Sequence, residues 1–191
     1  MFSVLVADVD ESQLPGEAPG DYVLRLAEMK ARKTAEKVIN DNMIVAADTA
    51  VVDGRDILGK PRDEVDAIRM LKRLRGHTHQ VYTGLALLRV SDSYIQTDLT
   101  VTDVPMRDYS DEEVDAYVQT GDPLDKAGAY AIQHPRFHPV ENLQGCFASV
   151  MGLPLGELAA ALAEVGIPLV DIGPRCTQYS GFPCCQQPSP D

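Results

Sequence analysis

Met43-Ile44-Val45-Ala46-Ala47-Asp48-Thr49-Ala50-Val51-Val52-Asp53-Gly54 is the stretch on which the fold turns. Met43 to Ala47 is short, apolar and unalternating, which predicts a strand buried on both faces. Asp48 is then expected at its carboxyl edge, where open α/β sheets hold their ligands. A buried aspartate is costly unless it is paired, hydrogen-bonded or metal-bound, so Asp48 is either a structural cap or part of a polar site. Asp53-Gly54 is a hairpin signal. Gly59-Lys60-Pro61 is a tight turn that presents one lysine. It is not a phosphate loop, because the Gly-x-x-x-x-Gly-Lys-Ser/Thr spacing is absent.

Working outward, Phe2 to Ala7 reads as a strand, followed by the acidic turn Asp8-Val9-Asp10-Glu11-Ser12. A charge run of this kind is either a solvated turn or a ligand-binding one. A helix is predicted over Asp21–Val38, with Val23, Leu26 and Ala27 at i, i+3 and i+4. Lys30 falls at i+7 on that same face, so it either snorkels to water or points into a polar pocket. Asp63 caps a predicted helix from Glu64 to Arg75, with Gly76 as its stop. Val81–Val90 and Tyr94–Arg107 read as strands around the turn Ser91-Asp92-Ser93. Ser110 and Glu113 form a capping box that opens a further helix, ended by Gly121-Asp122-Pro123.

Between Leu124 and Gln133 the small residues around Gly128 suggest a close backbone approach. Asp125 and Lys126 are either an exposed pair or part of that approach. Gln133, read as ending an apolar strand, suits a base edge or a turn. His134 and His138 are separated by Pro135 and cannot form a helical metal pair. Gly145 to Leu155 leads from a strand through a turn into a helix that opens near Pro154. Beyond Ile172 the chain is Pro-, Gly- and Gln-rich and reads as a tail. The elements make an α/β protein with a mixed, curved central sheet flanked by helices.

Bulk properties exclude several classes. A formal net charge of -12 opposes a nucleic-acid backbone as partner. No run of about 18 apolar residues exists, so no membrane span is expected. No secretory signal is visible. Three of the four cysteines, Cys176, Cys184 and Cys185, lie in the tail without zinc-ligand spacing, which suits reduced thiols in the cytoplasm, the alternative being a tail disulfide or metal clip.

Seven segments in order resemble the Maf family of nucleoside triphosphate pyrophosphatases. They are Ala7-Asp8-Val9-Asp10-Glu11-Ser12, Leu26-Ala27-Glu28-Met29-Lys30-Ala31, Ala47-Asp48-Thr49, Leu58-Gly59-Lys60-Pro61, Thr78-His79-Gln80-Val81-Tyr82-Thr83-Gly84, Leu124 through Gln133, and Val150-Met151-Gly152-Leu153-Pro154-Leu155. The resemblance implies a Maf-like pyrophosphatase domain over residues 1–170, followed by a tail at 171–191. It implies hydrolysis between the α- and β-phosphates, with Asp48 as proton acceptor and with Glu11 and Lys60 among the catalytic groups. Lys30, Lys60, Lys126 and Gln133 are the expected substrate contacts. A divalent cation, Mg²⁺ or Mn²⁺, is expected on Asp48 and Glu11, and a homodimer is implied. The Thr78–Gly84 segment resembles the pyrimidine-active group, so dTTP and UTP are the expected substrates. The other expectation is a non-catalytic nucleotide-binding regulator linked to septum formation.

Two departures stand out. The family opens with a strand and a Ser-x-Ser-Pro-Arg-Arg turn, which this sequence does not contain. The expectation is therefore a domain lacking its first strand and helix, and weak or absent activity for the chain as it stands. Gly145-Cys146-Phe147 also replaces the more usual Gly-Ser-Tyr.

Overall fold

Apolar spacing builds the first element of the computed structural model, which describes residues 2–38, 42–170 and 172–182. Helix α1 (Pro19–Ala35) starts on a proline and buries Val23, Leu26, Ala27 and Ala31 along one face. That face lies on a four-stranded sheet. The strands are β1 (Met43–Asp53), β2 (Asp56–Leu58), β3 (Thr78–Arg89) and β4 (Tyr94–Pro105), in the order β2-β1-β3-β4. The α/β class is borne out, and every described strand pair is antiparallel. The Asp53-Gly54 turn closes the β1–β2 hairpin, with Asp53 opposite Asp56.

The second face of the sheet carries the larger core. Helix α2 (Glu64–Leu74) is capped by Asp63, whose side chain accepts from the Asp66 amide at 2.8 Å. Its Ala67, Met70, Leu71 and Leu74 pack with Val51, Val81 and Val104 from the sheet. Each buried Leu contributes about 1.5–3 kcal/mol. Helix α3 (Asp111–Val118) has the expected Ser110/Glu113 capping box and adds Val114, Tyr117 and Val118 to the same core. The chain then runs through two 3-10 turns, Asp122–Asp125 and Ala127–Ala129, to α4 (Phe147–Val150), α5 (Leu155–Glu164) and α6 (Ile172–Ser180).

Several expectations are corrected. Phe2 to Ala7 is not a strand: it pairs with no strand among the described residues, and Phe2 is 88% exposed. An apolar alternation needs a neighbouring strand to become one. Gln133 does not end a strand. A 3-10 turn at Ala127–Ala129 stands upstream instead, kinked by left-handed backbone at Gly128 (φ +68°) and Ala129 (φ +62°). Among the described residues no strand leads directly into Cys146, and the sheet-like contact before it is the Met106–Val140 bridge. The helix expected to open near Pro154 is α5, with Pro154 at the position just before its first residue. The stretch after Ile172 is helical, and α6 buries Cys176 beside Cys146 and Ala148. Cys184 and Cys185 lie outside the described residues.

Strand β1 differs most from its reading. It continues six residues beyond Ala47, because Asp48 to Val52 pair in register with Gly84 to Gln80 of β3. Asp48 is therefore in mid-strand. Nor is the strand buried on both faces, since Val45 is exposed. Only Val51, Val52 and Asp53 pair with β2, so the second edge of Met43–Ala50 has no strand partner among the described residues.

Candidate active site

Side-chain alternation along β1 decides what Asp48 meets. Ile44, Ala46, Ala50 and Val52 pack on the α1 side, and Asp48 falls in that row. Gly84 is directly opposite Asp48 on β3. A Cβ there would sit 2.5 Å from the Val23 carbonyl oxygen, so the absence of a side chain lets α1 rest its backbone on the sheet. Two turns further along α1, Lys30 reaches Asp48 with Nζ 2.5 Å from Oδ1. The same nitrogen lies 2.7 Å from Glu11 Oε1. Lys30 thus points into a polar site.

Glu11 is held from its backbone. The Tyr22 hydroxyl donates to the Glu11 carbonyl at 2.9 Å, and Arg25 donates to the Ser12 carbonyl at 3.0 Å. Arg25 also clamps both carboxylate oxygens of Glu17, at 2.6 and 2.8 Å. The acidic turn is therefore organised against α1 rather than merely solvated.

The Asp48 side chain is 10% exposed, that of Lys30 21% and that of Glu11 53%. Burial raises the Asp48 carboxyl above its ordinary value; Lys30 opposes this and Glu11 adds to it. Burial pushes Lys30 down, but its bonds to Asp48 and Glu11 outweigh that and raise it. A carboxylate raised toward neutrality is a better general base than an exposed one. The two acids converge on one cationic nitrogen. That donor set suits a hard divalent ion, which takes one or two carboxylates and leaves the remaining positions to water and phosphate oxygens. Among the described residues, no group of three or more His, Cys, Asp or Glu is placed to hold a metal unaided.

The other predicted residues gather on the opposite face of β1. Lys60, Lys126 and Gln133 line one cavity of about 280 Å³ together with Thr49, Val51 and Tyr130. The Gly128 amide donates to the Gly59 carbonyl at 3.1 Å, tying the Lys60 turn to the turn that follows Lys126. The close approach expected at Gly128 is to Val51, whose Cγ1 would lie 2.9 Å from an added Cβ. Lys126 is no simple exposed pair: it reaches Asp125 at 2.7 Å, Asp122 at 3.1 Å and the Asp122 carbonyl at 2.8 Å. The predicted residues therefore form two groups, Glu11–Lys30–Asp48 and Lys60–Lys126–Gln133, on the two faces of a strand whose edge is open.

Thr49 was not singled out in the sequence, although it follows Asp48 and must face the other way. The Thr83 hydroxyl spends its one proton on the Ser149 carbonyl at 2.8 Å. In the 2.9 Å contact between Thr49 and Thr83, Thr49 is therefore the donor. Its remaining lone pairs make it an acceptor toward the cavity. Ser149 in turn donates to the Cys146 carbonyl at 2.9 Å, so Thr102 donates to Ser149 at 2.8 Å. This chain of hydroxyls crosses the sheet and fixes the direction of each bond.

The family model described as Maf-like protein matches residues 1–165 of the chain. A dTTP/UTP pyrophosphatase of Anaeromyxobacter dehalogenans (strain 2CP-C) is 49% identical over 170 residues, covering 88% of this chain and 85% of that protein. A dTTP/UTP pyrophosphatase of Clostridium botulinum (strain Kyoto / Type A2) is 43% identical over 171 residues, covering 88% of each.

Proposed function

Because the chain belongs to the Maf-like protein family, we propose that it is a nucleoside triphosphate pyrophosphatase that converts dTTP and UTP to the monophosphate and diphosphate. The observation that carries this reading is the Glu11–Lys30–Asp48 cluster, one residue along the strand from a cavity with two lysines. The names of the relatives support the substrate class.

In this reading the nucleotide occupies the cavity, and its phosphates pass the open edge of β1 toward Asp48. Lys60 and Lys126 meet phosphate oxygens as point charges. Asp48 accepts the proton of the attacking water, and its raised affinity for protons suits that task. Lys30 keeps Asp48 oriented and offsets charge as the phosphoryl group transfers. Glu11 and Asp48 would hold a divalent cation, Mg²⁺ or Mn²⁺, which when bound supplies charge neutralisation at the phosphates. The enzyme acts in the cytoplasm as a homodimer, a part of the proposal supported by the family resemblance.

Thr49 gives the base preference a physical basis. Uracil and thymine carry an N3–H donor, whereas cytosine presents a lone pair at that position. An acceptor-only hydroxyl matches the former and rejects the latter. Gln133 can serve either kind of base edge and adds reach rather than discrimination. The test is product analysis: dTTP should yield dTMP and diphosphate, with no dTDP or orthophosphate. Thr49→Val should weaken dTTP and UTP by about 5- to 100-fold, one hydrogen bond, while Thr49→Ser keeps most activity. Release of orthophosphate and a nucleoside diphosphate would sink the proposal.

A further inference from the structure

His79 and Tyr130 take no part in the steps above, yet Tyr130 lines the same cavity and its hydroxyl makes a buried polar contact with His79. His79 on β3 is 2% exposed, and Tyr130, which lines the cavity, is 6% exposed. Imidazole Nε2 lies 2.8 Å from the Tyr130 hydroxyl, and the rings meet edge to face with centroids 5.5 Å apart. Nδ1 is buried and has no hydrogen-bond partner among the described residues. Burial, reinforced by His77 and opposed by Asp53, pushes the His79 pKa down to about 4, so the ring is neutral at pH 7.

A neutral imidazole carries one N–H. If it were on Nδ1, a buried donor would be orphaned, the rarer and costlier arrangement. On Nε2 it is used, and only a lone pair goes unmatched. His79 therefore donates to the Tyr130 oxygen, and the phenolic proton of Tyr130 has no acceptor among the described residues. We propose that His79 is a positioning residue: it fixes the direction of the Tyr130 hydroxyl so that its O–H serves an oxygen acceptor of the bound nucleotide. The inference rests on the reading of this cavity as the nucleotide site.

The experiment compares Tyr130→Phe, His79→Leu, His79→Gln and the Leu/Phe double variant in dTTP hydrolysis. Tyr130→Phe and His79→Leu should each raise KM about 5- to 50-fold, the loss of one hydrogen bond, and change kcat less than about threefold. The double variant should be no worse than Tyr130→Phe alone, because the two act through one contact. His79→Gln, which still donates, should return KM to within about threefold of wild type. Weakened inhibition of Tyr130→Phe by inorganic triphosphate would put the acceptor on the phosphates. Unchanged triphosphate inhibition with weakened dTTP would put it on the base or sugar. An unchanged KM for Tyr130→Phe, in a wild-type protein that turns over dTTP, overturns the inference without touching the functional reading. A wild type that releases no diphosphate is failure of that reading instead. Nitrogen-15 spectra of the intact protein decide the tautomer without any activity: an Nδ1–H form of His79 also overturns the inference.

Discussion

Replacing Lys30 with methionine removes the cation that Asp48 and Glu11 share and leaves the rest of α1 intact. Both carboxylates lie within 2.7 Å of the lost nitrogen, so they would face each other across a partly buried gap. Losing an opposite charge at this distance raises a carboxyl by about 1–3 pH units. At about 1.4 kcal/mol per unit, Asp48 then opposes folding at neutral pH by roughly 1.4–4 kcal/mol more than in the wild type. The low half of that range is expected, because Glu11 is half exposed and solvent screens it. The sign is fixed by linkage. A carboxyl whose folded pKa is raised favours the fold most below its unfolded pKa and loses that contribution as pH rises through the folded value. The stability gap between Lys30→Met and wild type should therefore be about 2 kcal/mol at pH 7.5 and shrink below about 1 kcal/mol near pH 4.5. The acid limb of kcat/KM for diphosphate release should move up by about 1–3 pH units, with a loss at pH 7.5 on the order of 10²-fold. Urea denaturation at the two pH values and a pH–rate profile read both effects. A variant with an unshifted acid limb, or a stability gap independent of pH, would refute the reasoning.

Two other substitutions test the supports of the site. Gly84→Ala places a methyl 2.5 Å from the Val23 carbonyl oxygen, so α1 must lift. A loss of about 1–3 kcal/mol in urea is expected, with a fall in kcat/KM on the order of tenfold or more as Lys30 moves from Asp48; wild-type stability would contradict the close packing. Ser149→Ala deletes the acceptor of Thr102 and the donor to Cys146 in a fully buried position, and should cost about 1–3 kcal/mol with an unchanged m-value. A loss below about 0.5 kcal/mol would mean that the Thr102–Ser149–Cys146 bonds add little to the fold.

Local signals in the sequence are legible where chain chemistry alone decides the outcome. Asp63, Ser110 and Glu113 cap helices as expected, and Asp53-Gly54 turns the hairpin. The apolar spacing of α1 also placed Lys30 on the sheet-facing side. What failed depended on tertiary partners. Phe2 to Ala7 has strand composition, but no described strand pairs with it. Asp48 looked like a strand end because a carboxylate opposes burial, yet Lys30 supplies the charge that lets β1 continue. The Ala129 left-handed turn before Gln133 is invisible in composition, because alanine carries no signal for positive φ. Thr49 was missed for a different reason: a threonine in a strand is ordinary, and only the direction of the Thr83–Ser149 bond makes it an acceptor.

Diphosphate release from dTTP and UTP with Mg²⁺, by this chain and by Asp48→Asn side by side, tests the central claim most directly. Asparagine keeps the shape and a hydrogen-bond acceptor for Lys30 but cannot take a proton from water. Turnover that falls on the order of 10²-fold or more in a variant with wild-type circular dichroism is the result predicted for Asp48 as proton acceptor. Equal turnover by the two proteins would contradict it.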